Sequence, residues 1–411
     1  MSPATISSRY ANFVIVLLLM FPIVINSIKI LGNIILLILF ILGGYIALKE
    51  RQNPFRIPEL KLLSWLTVGY FMAMLASIIV ADGWAAQFHH LGRKLHFLLA
   101  PLIALAIYKS NLSISHLLVS LKFGLILVGI ITLFQFFSGH TRPAGMINAN
   151  VFGDLVVAML FFSVVRIYKE TRKEKILSFF AVALGTTAIV LAASRGSWVS
   201  FLILFAVYIS IIYPRHLKNN RKRQLSLLLF SVISLFVVAT QTTVVERIGN
   251  AIDNIQDWRS GHTKFTSSGV RMEMWKSGFL AAKDAPWFGY GYRNANEVAA
   301  KYATQNHERI ASFTHLHNEY ITNLVSAGFI GIITFFALLF VPLATFIKGL
   351  RRQGKQMYAL MGVMLCVGYI TFGFSHIAFG EEHMNAFYVL FLSLLLPIMK
   401  RQVSLSDDRS L

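Results

Sequence analysis

The apolar residues of this chain arrive in long blocks, and the blocks decide what it can fold into. "ANFVIVLLLMFPIVINSI" (11–28) and "LVSAGFIGIITFFALLFVPLATFI" (324–347) are two of many along 411 residues. Each is close to the roughly 20 residues that carry a helix across a bilayer. Only 14% of the chain is charged and 56% is hydrophobic, whereas soluble domains carry about 25% charged residues. The expected fold class is all-α, a polytopic integral membrane protein. Arg9 precedes the first block and no small-residue cleavage site follows it, so that block reads as a retained helix rather than a signal peptide.

Twelve spans are expected, at 11–28, 29–48, 61–81, 95–109, 116–137, 150–167, 176–193, 197–213, 225–242, 318–347, 357–375 and 383–399. Residues 1–242 then hold nine of them, 243–317 form one large outer loop, 318–399 hold the last three, and 400–411 are a tail. The net charge of +20 suggests nucleic acid until its distribution is read. More than half of the basic residues follow even-numbered spans, in runs such as Arg166, Lys169, Arg172, Lys173 and Lys175, or Lys348, Arg351, Arg352 and Lys355. The positive-inside rule makes that side cytoplasmic, with both termini inside and no nucleic-acid partner. The 243–317 loop and the charges Arg93, Lys94, Arg142, Arg195 and Arg271 fall outside, in the periplasm of a Gram-negative cell. Cys366, the only cysteine, lies in an apolar block, so neither an intrachain disulfide nor a cysteine metal cluster can form.

On that outer face, His317 opens the tenth span in "FTHLHNEYITNLVSAGFIG". The partial positive charge of a helix N-terminus attracts anions and favours a neutral imidazole, as a general base requires. On a continuous helix Gly328 lies about 20° and Gly331 about 40° from His317, opening its stripe to another helix or a lipid chain. His315 should face elsewhere. An interfacial histidine at a polar helix start satisfies the same pattern. Arg195, in "LAASRGSW", occupies a tight hairpin and can grip a phosphate through two parallel hydrogen bonds, or snorkel to lipid headgroups. Arg271 is expected to open an amphipathic helix on the membrane, with Met272, Trp275, Phe279 and Leu280 at helical spacing. That helix should break at Pro286 in "DAPWFGYG"; Trp258, Trp275 and Trp287 suit interface anchors or sugar platforms. Arg142, in "GHTRPAGMINANVFG", and Arg93–Lys94 are weaker phosphate candidates. His376, Glu381, Glu382 and His383 lack a spaced ligand pattern for a metal, and no Asp-x-Asp or Gly-rich nucleotide loop is present.

These landmarks together resemble the O-antigen ligases, within a superfamily that also holds O-antigen polymerases and related bacterial oligosaccharyltransferases. His317–Asn318, nine residues, then Gly328 and Gly331 resemble the ligase histidine motif. "SRGSW", "GVRMEMW…DAPWFGYGY" and "RPAGMINANVFG" resemble three further landmarks of the superfamily. The resemblance implies transfer of a finished O-polysaccharide from undecaprenyl pyrophosphate to a sugar hydroxyl of the lipid A core. It implies a metal-independent, inverting displacement without cofactors, with membrane lipids around it. His317 would be the base, Arg195 and Arg271 the pyrophosphate ligands, and Lys94 or Arg93 a further basic contact. Asn318, His315, Gly328 and Gly331 would support them. A polymerase would use the same donor; a lipid-linked glycan transporter would instead need ionisable residues deep within spans, where only Lys122 and Asp154 stand out.

Overall fold

The computed structural model describes residues 8–81, 83–110, 112–214 and 267–401. The described residues form helices joined by turns: α1 (Ser8–Val24), α2 (Leu31–Lys49), α3 (Pro58–Val80), α4 (Trp84–Gly92), α5 (Leu95–Tyr108), α6 (Ile114–Phe137), α7 (Ala149–Ser163), α8 (Arg172–Leu191) and α9 (Arg195–Ile212). After the undescribed stretch come α10 (Ser267–Ala282), α11 (Ala295–Lys301), α12 (His307–Ser312), α13 (Glu319–Gly349), α14 (Gln356–Phe372) and α15 (Glu382–Lys400). Nine helices among the described residues are long and apolar enough to cross a membrane, Gln87–Tyr108 counting as one; α1 and α14 are shorter apolar helices. This is a multi-pass helical membrane protein. Every expected span except the ninth falls on a helix; 225–242, like Trp258 and the start of the large loop, lies outside the described residues.

Helix starts follow local chemistry. Pro58 stands in the first turn of α3, where its missing N–H costs nothing. Thr171 and Glu174 close a capping box on α8. The Asn148 side chain accepts from the Asn150 backbone to begin α7. α7 and α15 are buried almost all round and form the centre, where Phe162 meets Phe387 and Phe391. α2, α8 and α9 keep larger faces outward, with Leu37, Phe179 and Val199 exposed as suits a lipid-facing surface.

Contacts at the helix ends sort the bundle into two rims. One joins the C-termini of α2, α5 and α15: Lys109 pairs with Glu50 at 2.9 Å, and Arg401 donates to the Tyr108 carbonyl at 2.7 Å. On that side Lys122 of α6 also meets Glu170. The other rim gathers the starts of α5, α7, α9, α13 and α15, and carries the site.

Candidate active site at one rim

α13 does not start where a helix through His317 would. Asn318 is its N-cap, its side-chain oxygen accepting from the Ile321 N–H at 3.1 Å, and Glu319 N–H donates to the Gly373 carbonyl at 2.8 Å. His317 stands before the cap in a left-handed conformation (φ 51°), sparsely populated by residues with a Cβ. The stripe reckoned along a continuous helix therefore fails at its first residue. It fails again at Gly328, whose φ of 60° and ψ of −155° kink α13. A Cβ there would lie 2.5 Å from the Trp287 carbonyl carbon, so the neighbour that needs this glycine is backbone of the loop between α10 and α11, not a helix or a lipid chain. The Tyr290 and Gly291 N–H groups donate to the Val325 and Ser326 carbonyls, and Phe329 N–H donates back to Pro286. Loop 286–291 is thereby laced across the kink, with Gly289 (φ 68°) held against Ser326. Gly331 does face another helix, with Met74 of α3 beside it.

The turn at His317 also corrects the placing of His315. The two rings pack edge to face with centroids 4.4 Å apart, because the left-handed residue folds the chain back. Phe313 stands 5.2 Å from His317 on another side, and His376, from the loop between α14 and α15, reaches within 6.3 Å of His315. The Nε2 atoms of His315 and His376 are buried without a hydrogen-bond partner. Burial, then the Arg271 charge, holds the His317 imidazole down at about 4. Burial lowers His376 to about 3 and His315 to about 2, with neighbouring histidines and Arg271 adding to both. All three rings are neutral at neutral pH.

Arg271 lies one turn inside α10 rather than at its start, and the buried face of α10 is Val270, Met274, Ser277 and Ala281, leaving Phe279 exposed. Trp275 Nε1 donates to the Leu316 carbonyl at 3.0 Å, fixing the residue before His317. Arg195 opens α9 after a three-residue turn in which Ala193 is left-handed and Ser194 is the N-cap. Gly196 lies so close against Ser375 that any side chain would collide with it, which sets the Arg195 hairpin beside the His376 loop. Arg142 donates through Nε to the Ala192 carbonyl and through Nη2 to Asn150 Oδ1, both at 3.3 Å. The Arg271 guanidinium is lowered by burial and then by the charges of Arg195 and Arg142, and the Arg142 bond to Ala192 sets those two at one hairpin. Arg93 is near enough for its charge to lower His315 as well.

Lys94 is placed differently from these arginines. Its Nζ is buried and donates to the Tyr70 hydroxyl at 3.1 Å and the Phe379 carbonyl at 2.5 Å. Tyr70 donates to Asn323 Oδ1, and Asn323 Nδ2 and Phe379 N–H donate to the two Glu319 oxygens at 2.7 and 2.8 Å. The lysine thus braces the start of α13 from beneath. The four acidic and histidine residues weighed as a metal group diverge: His376 faces His315, His383 meets the Lys29 carbonyl, and Glu382 accepts from Asn33. Among the described residues no group of three or more side chains is arranged to hold a metal. Glu319 and Asn323 carried no signal that spacing alone could reveal, and Asp154 stood out only as an ionisable residue within a span, without its Ser197 partner.

The comparisons with known proteins bear on this rim. A protein of Haemophilus influenzae, uncharacterized, is 25% identical over 332 residues, covering 78% of this chain and 81% of its own. The family model described as O-antigen ligase matches residues 180–336, a stretch that contains Arg195, Arg271, His315, His317, Asn318, Gly328 and Gly331. The likeness to the O-antigen ligase family thus rests on residues 180–336 and takes in the histidine turn and two of the three arginines.

Proposed function

We propose that this chain transfers O-polysaccharide en bloc from undecaprenyl pyrophosphate to a sugar hydroxyl of the lipid A core, on the periplasmic face of the inner membrane. The observation that carries the reading is the Arg195 hairpin, bonded to Arg142 at the Ala192 carbonyl and set through Gly196 and Ser375 beside the loop whose His376 joins the His315–His317 rings. The match to the O-antigen ligase family over residues 180–336 supports a glycosyltransferase-like reaction, and the positive-inside rule favours this rim as the outer one.

In the proposed reaction the acceptor oxygen attacks the anomeric carbon, and the bond from that carbon to the pyrophosphate oxygen breaks with inversion. The acceptor proton passes to His317, and the electron pair leaves with the pyrophosphate. The growing negative charge meets preorganised guanidiniums in a partly dehydrated site, where such contacts act most strongly. A positioned base contributes about 10²–10⁴ in rate. With the Arg271 charge offset by the bound pyrophosphate, His317 becomes a better proton acceptor only once the donor is in place. Asn318 fixes the end of α13, and with it the backbone that carries the base.

The test is the lipopolysaccharide of a deletion strain, with and without wild-type or His317→Ala protein, together with the glycan left on the lipid carrier. Bare core with long polymer on the carrier, rescued by wild type alone, is the expected result. A carrier holding only single repeat units would make this a polymerase and overturn the acceptor.

A further inference from the structure

Two of the three arginines trace back to one turn of one helix. Asn150 and Asp154 lie four residues apart near the start of α7, hence on one face. Asn150 Oδ1 accepts from Arg142 Nη2 at 3.3 Å. Asp154 is buried, and its Oδ1 accepts from the Ser197 hydroxyl at 2.7 Å. Ser194 Oγ stands 3.0 Å from that hydroxyl oxygen and accepts from the Ser197 N–H, as N-cap of the helix that Arg195 begins. Gly153, between them, lets Ser197 approach to 2.6 Å of where its Cβ would stand. The Arg142 Nε bond to the Ala192 carbonyl ties the same hairpin from its other side.

We infer that α7 is a bracket for the anion-binding arginines, with Asn150 and Asp154 as positioning residues that fix Arg142 and the Arg195 hairpin relative to each other. Neither residue touches substrate; Asn150 acts through a guanidinium, and Asp154 through Ser197 and Ser194. Asp154 is used as a hydrogen-bond acceptor, so an amide with the same oxygen serves in its place. The inference rests on the proposed donor, because it concerns how a pyrophosphate is held.

The experiment measures undecaprenyl pyrophosphate affinity of the purified full-length protein in lipid nanodiscs, with thermal unfolding as the folding control. Asn150→Ala should weaken binding about tenfold, the scale of one lost hydrogen bond to a charged group, and should weaken it less than about twofold in an Arg142→Ala background. Asp154→Val should do the same relative to Arg195→Ala, while Asp154→Asn binds as wild type does. If Asp154→Val does not fold, Ser194→Ala enters the same cycle. Equal losses in both backgrounds, or no loss in either, overturn the bracket while leaving the proposed donor intact. Wild-type protein that binds no undecaprenyl pyrophosphate overturns the donor and the bracket together.

Discussion

The molecule buries polar side chains at both rims, and it treats them in opposite ways. On the side of Lys109 and Glu50, Lys122 meets Glu170 at 2.6 Å, and Ser178 donates to the other Glu170 oxygen at 2.7 Å. Both charged side chains are only 2% exposed. Within this buried pair each charge meets its opposite, and the second carboxylate oxygen is also bonded. At the other rim, Arg271 is pressed by Arg195 and Arg142, and the buried Nε2 atoms of His315 and His376 have no partner. A buried charge pair with matched bonds can belong to the fold alone. Like charges beside imidazoles that each leave a buried nitrogen unpartnered raise the energy of the protein, and a group of opposite sign lowers it. The first arrangement is complete; the second is shaped to be completed.

Substitutions can break this contrast at several strengths. The largest effect is expected at His317. His317→Ala and Arg195→Ala should each lower transfer by about 10² or more with unfolding temperatures near wild type, measured with purified donor and acceptor; a matching loss of stability would mean that they too are fold residues. At the paired rim the outcome should invert. Glu170→Ala leaves Lys122 buried and alone, at about 3–5 kcal/mol of stability, while Lys122→Met with Glu170→Leu costs far less. Transfer per folded molecule should change in neither variant, as denaturation and activity on the same preparations would reveal. Gly328→Ala is a smaller test, at about 1–3 kcal/mol for a forced positive φ plus the collision with Trp287; proteolysis within 286–291 should speed up.

The mildest effect is on pH dependence. In the folded protein the three imidazoles are held at about 4, 3 and 2, against 6.5 for an ordinary histidine. On acidification from about pH 6.5 the unfolded chain takes up protons that the folded one refuses. Stability from these groups is therefore complete above that value and is lost as pH falls toward 4. His315→Gln should flatten the slope of stability against pH by up to one proton's worth, and should impair transfer less than His317→Ala. An unchanged slope would place His315 in a wetter setting than its buried Nε2 implies.

The spans were readable because each apolar block declares itself without its neighbours: lipid leaves a helix as the way to satisfy the backbone. The break between α1 and α2 near Asn26 was visible for the same reason. Candidate residues could be picked out in the same way, as arginines and histidines standing beside apolar blocks. Geometry was not. The stripe through His317, Gly328 and Gly331 assumed a helix that the left-handed His317 and the kinked Gly328 interrupt, and both conformations are imposed by contacts with distant loops. The amphipathic spacing of Met272, Trp275, Phe279 and Leu280 did not show that α10 packs into the protein through Val270 and Met274, with Phe279 left exposed. The pairing of Asn150 with Arg142, and of Asp154 with Ser197, joins separate helices, so no spacing along the chain announces it.

The lacing of residues 286–291 across the kink in α13 also limits how such chains can be recombined. Hydrogen bonds run in both directions between the loop and Val325–Ile330, and glycines on each side admit the other's backbone. A chimera that takes its outer loop from one relative and its following span from another would cut between two halves of one fitted joint. Crossovers placed before α10 and after Gly331 keep that joint whole, and they define a unit that can be exchanged between relatives to ask what selects the acceptor.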